Sequence, residues 1–304
     1  MSAVTGLRPA GAGRVEIHPW LRMGPCTPEA CVEAPVAAAG PVRRVARLVA
    51  AALVLFAGVP FALVTARLHP VRRAAVTMVW ARLLLRALGV RVEATGTHTA
   101  PAAGMGGLLV ANHVSWLDPL VMAATVPSRP LAKREIGEWP LIRTLAAGSG
   151  ALFIDRERLS TLPSAVAAVT GALRAGHTVV AFPEGTTWCG RGMGEFRPAV
   201  FQAAIDAGAA VRPATLRYCE GGPAASTRAC YVGNDSLLAS LLRVVATRRL
   251  AVEVTVHPPV RSAPAGRRRE ARAALARTAE AQVRADVRGT AGPSRAAAHS
   301  APGT

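Results

Sequence analysis

Lysine is nearly missing from this chain: of 36 basic residues, 35 are arginine and Lys133 is the single exception. Aromatic residues are also scarce, at 4%. That leaves few of the stacking platforms on which single-stranded nucleic-acid binders depend, so nucleic acid is not an expected partner. Acidic residues number 18, giving a net charge of +18 and a pI near 11.5. Anionic lipid or a phosphorylated small molecule fits that charge better. Cysteine is limited to Cys26, Cys31, Cys189, Cys219 and Cys230, an odd number with irregular spacing and no CxxC pair. This argues against a disulfide framework and against a zinc knuckle, suits a reducing compartment, and leaves no metal site expected. The cysteines read instead as small semi-buried apolar side chains.

Hydrophobic residues make up 51%, and the mean hydropathy of +0.29 is too low for a chain of many membrane spans. The apolar excess is therefore local. Residues 1–41 are rich in Gly, Pro and Ala without apolar periodicity and read as a flexible leader. Leu48–Thr65 follows, eighteen residues without a charge, near the lower limit for crossing ~30 Å of hydrocarbon and interrupted by Pro60. Arg43, Arg44 and Arg47 precede it, and Arg67, Arg72 and Arg73 follow it. Charge is thus similar at both ends, and orientation stays open. Val71–Gly89 predicts a second helix, with Arg72, Arg82 and Arg86 within about 80° of one another. Such a helix lies at a membrane interface or packs on a core with its arginines in water. Together, residues 42–89 are expected to associate with a membrane.

From 90 to 258 short β-type runs alternate with helical ones. Strands are expected at Val90–Ala94, Gly107–Ala111, Ala151–Ile154, Thr178–Phe182, Ala210–Arg217, Ala229–Val232 and Leu250–His257. Helices are expected at Asp118–Ala124, Pro140–Ala147, Leu162–Ala175, Pro198–Ala207 and Ser236–Thr247. The fold class is α/β, a mostly buried mixed sheet flanked by helices and preceded by the membrane-associating pair. Residues 259–304 form an Arg- and Ala-rich tail, with a possible helix at Arg267–Val287 but no fixed packing expected.

The densest chemical signal is Asn112-His113-Val114-Ser115-Trp116-Leu117-Asp118, where a buried strand ends in a turn before a helix. Histidine is the usual acceptor of an alcohol's proton near neutral pH, and a positioned base contributes about 10²–10⁴-fold. A carboxylate on the other ring nitrogen fixes the tautomer, and a turn lets i and i+5 face each other. The dyad brings no nucleophile of its own, so the hydroxyl belongs to a substrate. Taken alone, the same residues also read as a helix-capping Asp beside a hydrogen-bonded His. Gly150–Arg156 is an apolar strand ending in an acid and a base, whose Arg156 either forks onto phosphate or is merely solvated. In Phe182-Pro183-Glu184-Gly185-Thr186-Thr187 a buried strand enters a turn; Gly185 permits close approach, and Glu184 needs a hydrogen-bonding partner. Val211–Leu216 is a strand with Pro213 inside, which suggests an edge or a bulge.

In this order the four blocks resemble those of the glycerolipid acyltransferases of the bacterial lysophosphatidic-acid acyltransferase type, over roughly residues 75–220. The resemblance makes His113 and Asp118 the catalytic pair, and links Arg156 to acceptor phosphate. It assigns Glu184, Gly185 and Thr186 to acceptor binding, with Lys133 beginning a further family-like segment. Many relatives carry Arg where this chain has Thr187; here Arg197, Arg156 or Arg191 is left to meet the phosphate. The implied reaction moves an acyl group from acyl-coenzyme A or acyl carrier protein to the sn-2 hydroxyl of 1-acyl-glycerol-3-phosphate, giving phosphatidic acid. It needs no cofactor or metal, and takes place at the anionic, cytoplasmic face of the cell membrane. Thr187 is also similar to relatives that acylate lyso-ornithine lipid. A non-catalytic basic membrane-surface protein would account for the tail, but leaves the dyad and Glu184 unexplained.

Overall fold

The computed structural model describes residues 24–65, 67–96, 106–134, 138, 140–155, 159–222, 224–261 and 267–289. A short helix α1 (Pro28–Cys31) leads into two long helices, α2 (Pro41–Thr65) and α3 (Pro70–Leu88). Then come β1 (Val90–Gly96), β2 (Gly107–Ala111), α4 (Asp118–Thr125), β3 (Arg129–Lys133), α5 (Pro140–Ser149) and β4 (Leu152–Ile154). The chain continues through α6 (Leu162–Arg174), β5 (Val179–Ala181), α7 (Phe201–Ala207), β6 (Ala210–Glu220), α8 (Leu237–Ala246), β7 (Leu250–Val256) and α9 (Arg268–Gly289).

The seven strands form one mixed sheet, ordered β1-β7-β6-β2-β5-β3-β4. All neighbours are parallel except β6 and β7. Strand alternation sorts the interior into two layers. On one face Leu109, Val180, Leu216 and Val252 pack with Leu85 and Leu88 of α3, Val121 and Met122 of α4, and Val244 of α8. On the other, Leu108, Val110 and Val179 pack with Leu173 of α6, Phe201 of α7 and Leu275, Ala279 and Val283 of α9. The expected α/β class and flanked mixed sheet are present. The C-terminal ends of the central strands β2 and β5 open onto the turns that carry the conspicuous residues.

Five expectations need correcting. Residues 24–40 of the expected leader are tied to the domain: Cys26, Cys31 and Ala39 are buried, the Ala37 N–H donates to Glu220, and the Ala39 N–H to the Ala246 carbonyl. Apolar periodicity could not reveal this, because the anchoring runs through backbone groups and isolated small side chains. Helix α3 is a core element, since Ala81, Leu84, Leu85 and Leu88 are buried while its arginines reach backbone carbonyls, Arg82 that of Ala124 and Arg73 those of Gly148 and Ala147. The tail includes α9, whose Leu275, Ala276, Ala279 and Val283 form a buried stripe despite the arginines on its other faces. Strand β3 replaces the expected strand at Ala229–Val232, where Ala229, Cys230 and Val232 are instead buried in a loop whose Tyr231 N–H donates to the Val114 carbonyl. Pro213 lies within the sheet: it faces the β7 side one residue past the paired register, accepts the His257 N–H at 2.9 Å, and forfeits only the return bond.

Helix α2 is different in kind. It is 25 residues long, contains Pro60, and is long and apolar enough to cross a membrane. Only Ala51, Gly58, Ala62 and Thr65 of it are buried, and Leu53, Phe56 and Phe61 are more than half exposed. Against the protein it presents small residues: a Cβ on Gly58 would meet Trp80 at 2.5 Å, and one on Gly148 of α5 would meet Ala62 at 2.5 Å.

Candidate active site

The site starts where β2 ends. Asn112 clamps the backbone of Leu216 in β6, its Nδ2 donating to the Leu216 carbonyl at 3.0 Å and its Oδ1 accepting the Leu216 N–H at 2.8 Å. The chain then turns, and Asp118, the first residue of α4, folds its side chain back over that turn. Asp118 Oδ2 accepts the N–H groups of Val114 at 2.6 Å and Ser115 at 2.8 Å, and lies 2.8 Å from His113 Nδ1. Asp118 Oδ1 accepts the hydroxyl of Tyr218 at 2.6 Å. Asp118 thus serves the turn before α4 rather than capping α4, and it is completely buried.

These bonds fix the protonation pattern. Three of the groups around Asp118 are donors, an arrangement suited to an ionised, acceptor-only carboxylate in a buried place. His113 Nδ1 therefore carries the proton toward Asp118, and Nε2 is left as an acceptor. The His113 side chain keeps 17% of its surface exposed, so the imidazole reaches solvent while its partner does not. The Phe182 ring stacks on it, centroids 4.4 Å apart and planes 19° from parallel. Burial, and the negative charge of Asp118 that would repel a phenolate, push the Tyr218 phenol well above its ordinary pKa, which keeps it a donor.

Glu184 approaches His113 from the other side. It follows the end of β5 and is buried; Oε1 accepts the His113 N–H at 2.6 Å and Oε2 accepts the Gly194 N–H at 2.5 Å. Burial pushes its carboxyl up to about 8, against the pull of these two N–H groups. The loop supplying Gly194 is held by α9: Glu280 accepts the Phe196 N–H at 2.8 Å, and Arg284 donates to the carbonyls of Met193 and Gly194. The turn around His113 is further pinned through its carbonyls. Trp188 donates to that of His113 at 2.8 Å, and Tyr231 to that of Val114 at 3.0 Å.

The remaining expected residues lie at varied distances from this centre. Gly185 adopts φ +77, in the left-handed region that favours glycine, and a Cβ there would come within 3.2 Å of Arg197 Nε. Arg197 is exposed, and its N–H donates to the Pro183 carbonyl, so its side chain lies over the Glu184-Gly185 turn. Thr186 is half-buried, and Thr187 donates its hydroxyl to the Tyr231 carbonyl, giving it a structural task in place of an arginine. Arg191 is exposed and pairs with Glu33. Lys133 ends β3 opposite Ile154 of β4. Arg156 lies outside the described residues. The residue missed from sequence is Tyr218; a hydroxyl in the apolar half of β6, two residues from the Asn112 clamp, was the available signal.

Comparison with known proteins agrees with this geometry. A family model described as Acyltransferase matches residues 91–217, which include all four blocks. A lyso-ornithine lipid O-acyltransferase of Pseudomonas aeruginosa is 35% identical over 227 residues, 73% of this chain and 82% of that protein. The chain belongs to the acyltransferase family. A 1-acyl-sn-glycerol-3-phosphate acyltransferase of Neisseria meningitidis is 37% identical over 173 residues, 57% of this acyltransferase and 67% of the relative. The crystal structure of the 1-acyl-sn-glycerophosphate acyltransferase of Thermotoga maritima superposes with a TM-score of 0.62 at 18% identity, covering 83% of this chain and 96% of that one. At that identity the likeness speaks to the fold, which is shared almost end to end. Segment 24–40, α2, α3 and α9 lie outside the matched residues 91–217.

Proposed function

We propose that this acyltransferase moves a fatty acyl group from an acyl thioester to the sn-2 hydroxyl of 1-acyl-glycerol-3-phosphate, giving phosphatidic acid. The observation that carries the reading is the His113–Asp118 pair at the mouth of the sheet, with its ring nitrogen Nε2 open to a substrate and no protein nucleophile in the arrangement. His113 takes the proton of the acceptor hydroxyl as its oxygen attacks the thioester carbonyl carbon. The carbon–sulfur bond then breaks, and the thiolate leaves with the proton that the imidazolium returns. Asp118 holds the ring in the correct tautomer and offsets its transient charge. Glu184 sets the backbone of His113, while Gly185, Thr186 and Arg197 form the adjoining surface for the acceptor, with Arg156 and Arg197 as its phosphate partners. The donor is acyl-coenzyme A or acyl carrier protein, and the transfer as written calls for no metal or cofactor.

The acceptor is a membrane lipid, so the enzyme works at the cytoplasmic face of the cell membrane. Two features support this placement. Helix α2 offers a long apolar surface with exposed Leu53, Phe56, Phe61 and Leu63. Near its N-terminal end, Arg43, Arg47, Arg86, Arg91, Arg248 and Arg249 line one concavity, which suits an anionic membrane surface.

A second acceptor, lyso-ornithine lipid, is favoured by one specific observation. The relative named for that lipid matches over a longer stretch of both chains than the relative named for 1-acyl-glycerol-3-phosphate. The deciding experiment presents both lysolipids, at equal donor, to membranes containing the full chain. Acylation of lysophosphatidate is the expected result. Acylation of lyso-ornithine lipid alone transfers the assignment to the second reading, and acylation of neither overturns both.

A further inference from the structure

Three of the five cysteines converge although the sequence scatters them, and a fourth lies beside them. Cys26 and Cys31 bracket α1, Cys189 follows the turn after Glu184, and Cys230 lies in the loop before α8. The sulfurs of Cys26, Cys31 and Cys189 all lie within 4.8 Å of one another, and all three residues are buried. Cys230 is completely buried and close enough to Cys189 and Cys31 that charge on either acts on its thiol.

We propose that Cys26, Cys31, Cys189 and Cys230 form a structural site for a zinc ion. Four thiolates around zinc at ~2.3 Å stand roughly 3.8 Å apart; three sulfurs already gathered within 4.8 Å need only a small contraction to reach that shell, and Cys230, outside that group, would swing in to complete it. The donor set is all sulfur, which selects a soft or borderline cation over magnesium or calcium. Two donors also face the cluster: the Cys189 backbone N–H points at the Cys26 sulfur, and the Arg243 guanidinium donates to the Cys230 carbonyl at 2.9 Å. Binding replaces each sulfur–hydrogen bond with a sulfur–zinc bond and releases the protons to solvent.

The position gives the ion a task. Two of its ligands are next in sequence to the residues that pin the turn around His113, namely Trp188 before Cys189 and Tyr231 after Cys230. The other two ligands come from the segment just ahead of α2. A single ion would thus fasten the approach to the membrane helix onto the two loops that hold the dyad's backbone. Spacing alone could not show this, because the four ligands come from three separate stretches of chain.

The test uses the full chain without a histidine tag. Zinc is measured per chain by mass spectrometry of the metal, and cadmium is added to the metal-free protein while the ultraviolet thiolate-to-metal band is recorded. We expect about one zinc per chain and a strong band. Cys31→Ser and Cys189→Ser should lower zinc occupancy at least about tenfold, while Cys219→Ser, in β6 outside the cluster, leaves it unchanged. Chelation of zinc should lower the melting temperature of the wild type but not of Cys31→Ser. A wild-type chain that purifies without zinc and gives no cadmium band overturns the proposal, and so does a Cys26–Cys189 disulfide in place of metal. Should the variants fail to fold, the wild-type zinc content and cadmium band decide the matter alone.

Discussion

Asp118 and Glu184 are both buried carboxylates in contact with His113, yet one holds its ring and the other its backbone. Asp118 is met by two N–H groups, a phenol and an imidazole, enough donors to keep a charge in a dry place. Glu184 is met by two N–H groups only, and burial drives its carboxyl up to about 8. Both acids are buried, yet four donors face the first and two face the second. The acid that meets the ring is placed to offset a charged imidazolium, and the acid that meets the backbone N–H holds the turn.

Four changes would break or sharpen that contrast. The largest effect is expected from Asp118→Asn, which leaves the shape but takes away the charge and lets the ring adopt the wrong tautomer. Acyl transfer per folded chain should fall by about 10²–10⁴-fold, with a lower melting temperature because the amide cannot accept from all four donors, and turnover within a few-fold of wild type would refute the pairing. Next comes deletion of residues 267–304, which strips the Leu275–Val283 stripe from the sheet and removes the support of the Gly194 loop. A loss of roughly 3 kcal/mol or more in urea unfolding is expected from the apolar surface exposed, and an unchanged midpoint would show that α9 is dispensable. Tyr218→Phe removes one donor from the Asp118 carboxylate, at about 1.5–3 kcal/mol for a bond to a charged group. Turnover should drop about tenfold with KM for the lysolipid unmoved; a change in KM alone would place Tyr218 in acceptor binding instead.

Glu184→Gln has the smallest effect, and it depends on pH. The folded carboxyl titrates at about 8 and the unfolded one at 4.5, so the pKa is raised by folding. The stability tied to its protonated form is fully present below 4.5 and drains away as pH rises through about 8. Glutamine mimics the protonated acid at every pH, apart from about 1 kcal/mol for one backbone N–H that its amide cannot accept. Wild type should therefore lose stability relative to the variant as pH climbs through that window. Parallel curves would mean that Glu184 is ionised throughout.

How much of this could be read in the sequence depends on where the partners lie. The His113–Asp118 contact spans five residues inside one turn, so a strand-turn-helix pattern was enough to pair them. Glu184 was visible as a carboxylate needing a partner, but its partners are 71 and 10 residues away, and only the fold names them. Tyr218 reaches Asp118 across 100 residues and left only a hydroxyl in an apolar strand as its trace. Helices α2 and α9 show the same limit for composition. The more apolar helix keeps much of its surface exposed, while the Arg-rich one buries a narrow stripe. Average composition reports what a segment is made of, whereas burial follows the side on which its apolar residues align. Strand β3 was hidden for a related reason: Arg129, Pro130 and Lys133 mask a five-residue strand that lies between β5 and β4.

The most direct test of the account is acyl transfer from a thioester donor to lysophosphatidate by the His113→Ala chain in isolated membranes, with membrane-bound protein quantified alongside. The account predicts that transfer is abolished while the protein stays with the membrane fraction. Transfer at the wild-type rate would contradict it, because no other group in the described site stands ready to take the proton.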